Sequence, residues 1–188
     1  MSSHHIVREK QEPALLIMSL EHFPAEYLGQ LLEWSPTVLV SEQVYEQADS
    51  IGIKIDGVVT ANANFDAQEH TLLIPAEGEP LEDALKHLVA EGYPAVNIID
   101  DHFALKDYVF FVDLINLVIF NPVKKIFPIK SGFSKWQSAG QKIELMHEVH
   151  HLHLEGLKKR HDHEYETEKD GFYSLTFDQP FIFIAEEL

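Results

Sequence analysis

Apolar residues along the first two thirds of the chain fall into two alternating patterns. Short apolar-rich runs at 14–18, 37–40, 53–60, 71–74, 95–99 and 116–121 have strand length and are bounded by turn or polar residues. Such runs predict buried strands. Between them, apolar positions recur three and four apart. Tyr27, Leu28, Leu31 and Leu32 follow Pro24 and stop before Pro36, which predicts a helix. Ser41 is placed to cap a second helix that runs to Ile51 and closes at Gly52. Leu81, Ala84, Leu85 and Leu88 mark a third helix over 81–90, and 102–114 a fourth. Strands alternating with helices predict an α/β domain built on a mainly parallel sheet. Ligands of such sheets bind beyond the carboxyl ends of the strands. The segments after Met18, Val40, Thr60 and Ile99 are therefore where chemistry is expected.

From about Val123 the pattern changes. Runs at 125–129, 133–137, 142–146, 149–154, 172–177 and 181–185 are separated by Gly132, Ala139-Gly140, Asp170-Gly171 and Asp178-Gln179-Pro180. Short strands punctuated by turns predict an all-β sandwich or barrel. The expected organisation is an α/β nucleotide-binding-type domain over 1–121 and a β-sandwich domain over 122–188. Residues 158–169, rich in Lys and Glu, read as a mobile loop. Trp34 and Trp136 read as packing residues.

Charge and composition narrow the partners. The 188 residues carry 14 Lys and Arg against 31 Asp and Glu, a net charge of −17. Such a surface repels phosphate backbones and anionic bilayers, so neither nucleic acid nor membrane is expected as a partner. There is no cysteine, which excludes disulfides and thiolate metal sites. The polar start, with His4, His5, Arg8 and Lys10, contains no secretory signal. The longest apolar stretch, 108–120, is broken by Asp113 and Asn116 and is too short to span a bilayer. A cytoplasmic protein is expected. No P-loop and no Gly-x-Gly-x-x-Gly is present, and neither Ser19 nor Ser41 lies in a Gly-x-Ser-x-Gly string.

Several strings resemble the thiamine pyrophosphokinase family. They are the opening SSHHIVREKQEPAL, KIFPIKSGFSKWQSAGQKIEL at 125–145, EGLKK at 155–159 and DGFYSLTFDQPFIFIAE at 170–186. The resemblance covers nearly the whole chain. It implies a nucleotide domain, a β-sandwich domain, a homodimer, and transfer of pyrophosphate from ATP to thiamine with Mg²⁺. The functional motifs depart from that pattern. The turn after the first strand, Met18-Ser19-Leu20-Glu21-His22, lacks the family's glycine. Gly-Asp-Phe-Asp after the third strand becomes Thr60-Ala61-Asn62-Ala63, which removes both magnesium carboxylates. The Thr-Asp ahead of the next helix becomes Glu79-Pro80. Asp101-His102 matches the family's Asp-His, but the Gly-Arg turn ahead of it is missing. In the second domain Gly156-Leu157-Lys158-Lys159 lacks the family's aromatic, and its Ser-Asn pair falls near Glu164-Tyr165.

Three readings follow. The chain is a catalytically inactive homologue that keeps the fold, the homodimer and a small-molecule ligand. Alternatively it is a working kinase on ATP and Mg²⁺ with a rebuilt site drawn from Asp66, Glu79, Asp83, Asp100 and Asp101. The third reading rests on the 12 histidines, of which His147, His150, His151, His153, His161 and His163 lie together in sequence. On a strand, His147, His151 and His153 share a face, and with His161 and His163 they form a candidate transition-metal site.

Overall fold

A computed structural model describes Lys10 and residues 12–188. The N-terminal polar string, residues 1–9 and Gln11, lies outside the described residues. The chain divides into two compact units, Met1–Leu117 and Val118–Leu188.

The first unit is built on parallel strands β1 (Ala14–Ile17), β2 (Val38–Ser41), β3 (Gly57–Thr60), β4 (Leu72–Pro75) and β5 (Ala95–Ile99) in the order β5-β1-β2-β3-β4. β1 pairs with both β2 and β5 in parallel, and β3 with β2 and β4. All four residues of β1, β2 and β3 are buried. Burial on both faces explains why these strands appear in sequence as unbroken apolar runs. Helices α1 (Ala25–Leu32), α2 (Tyr45–Ser50) and α3 (Pro80–Ala90) bury Leu28, then Tyr45 and Ala48, then Ala84, Leu85 and Leu88. α4 (Leu105–Tyr108) continues into a 3-10 turn, Val109–Phe111.

Three expectations in this unit need correction. The third strand starts at Gly57, not at 53, because Asp56 folds back. Its Oδ2 accepts from Val38 N–H and its own N–H donates to Val38 O. Ser41 does not cap a helix with its side chain; its Oγ donates to Met18 O at 3.3 Å, and a 3-10 turn, Glu42–Val44, precedes α2. The helix expected over 102–114 shrinks to α4. Asp100 accepts from His102 N–H and delays the start, and the β-branched and aromatic run 108–112 propagates a helix poorly.

β6 (Asn116–Phe120) carries the chain across the division, and its Ile119 and Phe120 pair with Ile126 and Lys125. The second unit has antiparallel strands β7 (Lys124–Ile129), β9 (Lys142–Leu145), β11 (Leu157–His161), β12 (Glu164–Thr167) and β14 (Ile182–Glu187), ordered β11-β12-β9-β14-β7. A three-stranded sheet of β8 (Phe133–Gln137), β10 (His153–Glu155) and β13 (Gly171–Thr176) has the order β10-β13-β8. Ile129, Ile143, Leu145, Tyr173, Leu175, Phe177, Ile182 and Ile184 form the core of this unit. Each such side chain, fully buried, is worth roughly 1.5–3 kcal/mol.

The segment read as a mobile loop at 158–169 is the β11–β12 hairpin. Lys158 and Arg160 both reach Glu166 across the strands, and Tyr165 packs on the core. Charged cross-strand pairs stand where an apolar alternation would have signalled strand. The run 149–154 supplies only β10, because His150 and His151 turn the chain and His151 has φ +52°. The histidines 147, 151 and 153 therefore do not share one strand. Trp34 and Trp136 are exposed, at 70% and 53%, not packed inside. Among the described residues no helix is long and apolar enough to cross a membrane.

Candidate functional site

The carboxyl ends of β1, β2, β3 and β5 bring their exit segments together in the first unit. Met18 N–H and Ser19 N–H both donate to Ile99 O, at 2.8 and 3.3 Å, which ties the exit of β1 to that of β5. The chain then makes a turn closed by Phe23 N–H on Leu20 O. Leu20 and Phe23 are buried and anchor it, while Glu21 and His22 stand exposed at its tip. Ser19 Oγ donates to Asp101 Oδ2 at 2.5 Å. Asp101 Oδ1 is shut away from solvent and has no hydrogen-bond partner. Glu21, His22 and Asp101 each offer one ligand atom, and these atoms lie within 4.8 Å of one another. No other group of three His, Asp or Glu side chains among the described residues meets that condition.

Asp100 is used differently. Its Oδ1 accepts from His102 N–H at 3.0 Å and its Oδ2 from Tyr108 OH at 3.2 Å. Burial pushes its carboxyl above the ordinary value, and those two donors only partly offset this. Burial, with Asp100 beside it, also pushes the Tyr108 phenol up, so that it stays a donor. Phe103 stacks on Tyr108 at 5.5 Å between ring centroids.

At the exits of β2 and β3, Thr60 Oγ1 donates to Glu42 Oε2 and accepts from Asn62 N–H at 2.9 Å. Asn62 Oδ1 in turn accepts from Asn64 N–H at 3.0 Å. The loop after β3 is thus a self-satisfied turn. Phe65 packs edge-on against Tyr45 at 4.9 Å, and Asp66 is exposed. Asp83 Oδ2 accepts from Glu77 N–H and Gly78 N–H at 2.8 and 2.9 Å, holding the loop after β4. Of the carboxylates expected from sequence, Asp101 joins a cluster, Asp83 and Asp100 hold backbone, and Asp66 stands in the exposed loop after β3.

The C-terminal histidines are spread over turns of the second unit. His147 Nδ1 lies 3.1 Å from Glu148 O, and its Nε2 accepts from Phe183 N–H at 3.1 Å. Both ring nitrogens are therefore engaged within the fold. His151 Nδ1 pairs with Asp178 Oδ2 at 2.6 Å. His153 lies on β10, and His161 and His163 flank Asp162 at the hairpin turn. Beside that turn is an open cleft of about 200 Å³, lined by Leu145, His150, Lys159, Asp162, His163 and Tyr165 among others.

Sequence reasoning missed Glu21 and His22. The available signal was position alone: two polar residues directly beyond a buried parallel strand.

No family model matches the chain, and no curated protein matches it. Solved structures do. Thiamine pyrophosphokinase from Bacillus subtilis superposes with a TM-score of 0.66 at 10% identity, covering 93% of this chain and 98% of that one. The enzyme from Geobacillus thermodenitrificans gives 0.67 at 10% identity, with 93% and 97% covered. Yeast thiamin pyrophosphokinase gives 0.67 at 10% identity, with 96% and 87% covered. The chain has the thiamine pyrophosphokinase fold.

Proposed function

From that fold we infer a small-molecule-binding protein that does not transfer pyrophosphate from ATP and that works as a cytoplasmic homodimer. One observation carries the reading. The segments leaving the parallel strands (18–23, 41–44, 60–66, 75–79 and 99–104) hold Glu21, Glu42, Asp66, Glu77, Glu79, Asp100 and Asp101, and no lysine or arginine. Enzymes that move phosphoryl groups offset the charge of a polyphosphate with Arg, Lys and Mg²⁺. An edge of seven carboxylates without a cation does the reverse: it repels a triphosphate and attracts cations.

The residues present do not fit a magnesium triphosphate in the manner the resemblance implies. Ala61, Ala63 and Pro80 offer no side-chain oxygen. The Thr60 hydroxyl is already donating and accepting, and Asp83 is committed to two backbone N–H groups. Mg²⁺ is ordinarily held by one or two carboxylates together with phosphate oxygens, and positions 61, 63 and 80 supply none of those carboxylates.

The test is direct. Tag-free protein given ATP, thiamine and Mg²⁺ is expected to release no AMP above a protein-free control. Equilibrium dialysis is expected to find no ATP·Mg²⁺ uptake at millimolar concentration. Thiamine-dependent AMP release that Asp66→Ala or Asp101→Ala abolishes would instead establish a rebuilt kinase site. Light scattering on a sizing column reads the assembly, and a mass of 21.5 kDa rather than twice that value would remove the homodimer.

A further inference from the structure

We propose that Glu21, His22 and Asp101 form a site for a first-row divalent cation, with Zn²⁺ as the probe. The site does not rest on the loss of pyrophosphate transfer, because none of the three residues occupies position 61, 63 or 80.

The turn after β1 and the exit of β5 build it. Buried Leu20 and Phe23 pin the turn, so Glu21 and His22 are presented side by side at its tip. The double hydrogen bond to Ile99 O fixes that turn against the strand that delivers Asp101. One ligand atom from each side chain lies within 4.8 Å of the other two. Ligands around a tetrahedral zinc at 2.0–2.2 Å are roughly 3.4 Å apart. The remaining closure falls to Glu21 and His22, whose exposed side chains turn freely.

A second observation is independent of that proximity. Asp101 Oδ1 is enclosed and makes no hydrogen bond. An unpaired buried carboxylate oxygen is costly, and in folded proteins such a group is ordinarily met by a donor or a metal. Here the other oxygen is already taken by Ser19 Oγ at 2.5 Å. That bond orients the carboxylate as outer partners of metal ligands do. A cation beside Asp101 would satisfy the orphan oxygen and draw on the anionic edge around it. One imidazole nitrogen and two carboxylate oxygens suit zinc, manganese or iron better than magnesium or calcium. Three protein ligands leave a coordination position for water or a ligand atom.

The test uses tag-free full-length protein stripped with a chelator and titrated calorimetrically with Zn²⁺. One equivalent is expected to bind at micromolar concentration or tighter. His22→Ala and Glu21→Gln change exposed side chains, so circular dichroism should stay that of the parent. Each is expected to weaken that equivalent by roughly 100-fold, and Ser19→Ala by about 10-fold. Zinc held by histidines of the second unit would persist unchanged in these variants and is told apart in that way. The proposal is overturned if no equivalent binds below about 100 μM, or if His22→Ala and Glu21→Gln bind zinc as the parent does.

Discussion

Replacing Glu186 by glutamine keeps the shape of a side chain that is 5% exposed and removes its charge. The carboxylate accepts from Lys135 Nζ at 2.6 and 2.8 Å and from Tyr173 OH at 2.9 Å, with Lys125 Nζ at 3.2 Å. Hydrogen bonds to a charged group contribute about 1.5–3 kcal/mol, and removing one member of a fully buried ion pair costs about 3–5 kcal/mol. Lys135 and Lys125 are 33% and 34% exposed and can turn to water, so the lower range applies. Glutamine also still accepts from Tyr173. The expected loss is about 2–3 kcal/mol at neutral pH. Burial alone would push the Glu186 carboxyl up, but Lys135, Tyr173 and Lys125 outweigh it and hold the carboxyl below its ordinary value. A group depressed in the folded state gives stability that is present above its unfolded pKa and lost as pH falls through its folded pKa. The gap between parent and variant should therefore be full at pH 7 and shrink below about pH 4. Urea unfolding at pH 7 and pH 3, followed by circular dichroism and extrapolated linearly, measures it. A gap under about 0.5 kcal/mol at pH 7, or one that grows on acidification, would refute the reasoning.

Two further substitutions separate local causes. Gly156 has φ +72°, and a Cβ there would lie 2.8 Å from Phe172 O and 3.3 Å from Tyr173 Cα, whereas Gly140 has φ +82° and open space. Gly140→Ala should cost about 1 kcal/mol for the left-handed backbone alone, and Gly156→Ala about 2–4 kcal/mol, because backbone of β13 must also move. Equal midpoint shifts in urea would mean that the close approach has no weight. Asp83→Ala frees Glu77 N–H and Gly78 N–H and should cost about 1 kcal/mol, with Asp83→Asn costing less. Faster amide exchange at 77 and 78 in the alanine variant is the accompanying sign, and unchanged exchange would contradict the capping role.

The centre of the first unit was legible because β1 and β2 are buried on both faces. The runs 14–18, 37–40 and 95–99 could be little else, and each lies within a residue of the strand found there. Elements whose apolar content is split by charge were not legible. β11 and β12 place Lys158, Arg160 and Glu166 where cross-strand pairing satisfies them, and only the folded register reveals that. The failed helix at 102–114 has the opposite cause. Its apolar spacing is right, but Asp100 captures the first free N–H, and Phe110, 81% exposed, has no partner face to justify a helix.

The site divides along the same physical line. What a loop lacks can be read from composition: alanine at 61 and 63 and proline at 80 offer magnesium no side-chain ligand. What a loop offers depends on which exits meet. Asp66, Asp83, Asp100 and Asp101 are indistinguishable as letters, yet one caps a turn, one is held by a tyrosine, one stands exposed, and one faces an imidazole and a second carboxylate. That last convergence exists because β5 lies beside β1 in the sheet, although the two are separated by most of the unit in sequence. The parallel order β5-β1-β2-β3-β4 is set by buried apolar runs that do no chemistry. Exchange of polar residues beyond the strand ends leaves those runs untouched. A framework fixed by its apolar runs can in this way carry strand exits of very different charge and chemistry.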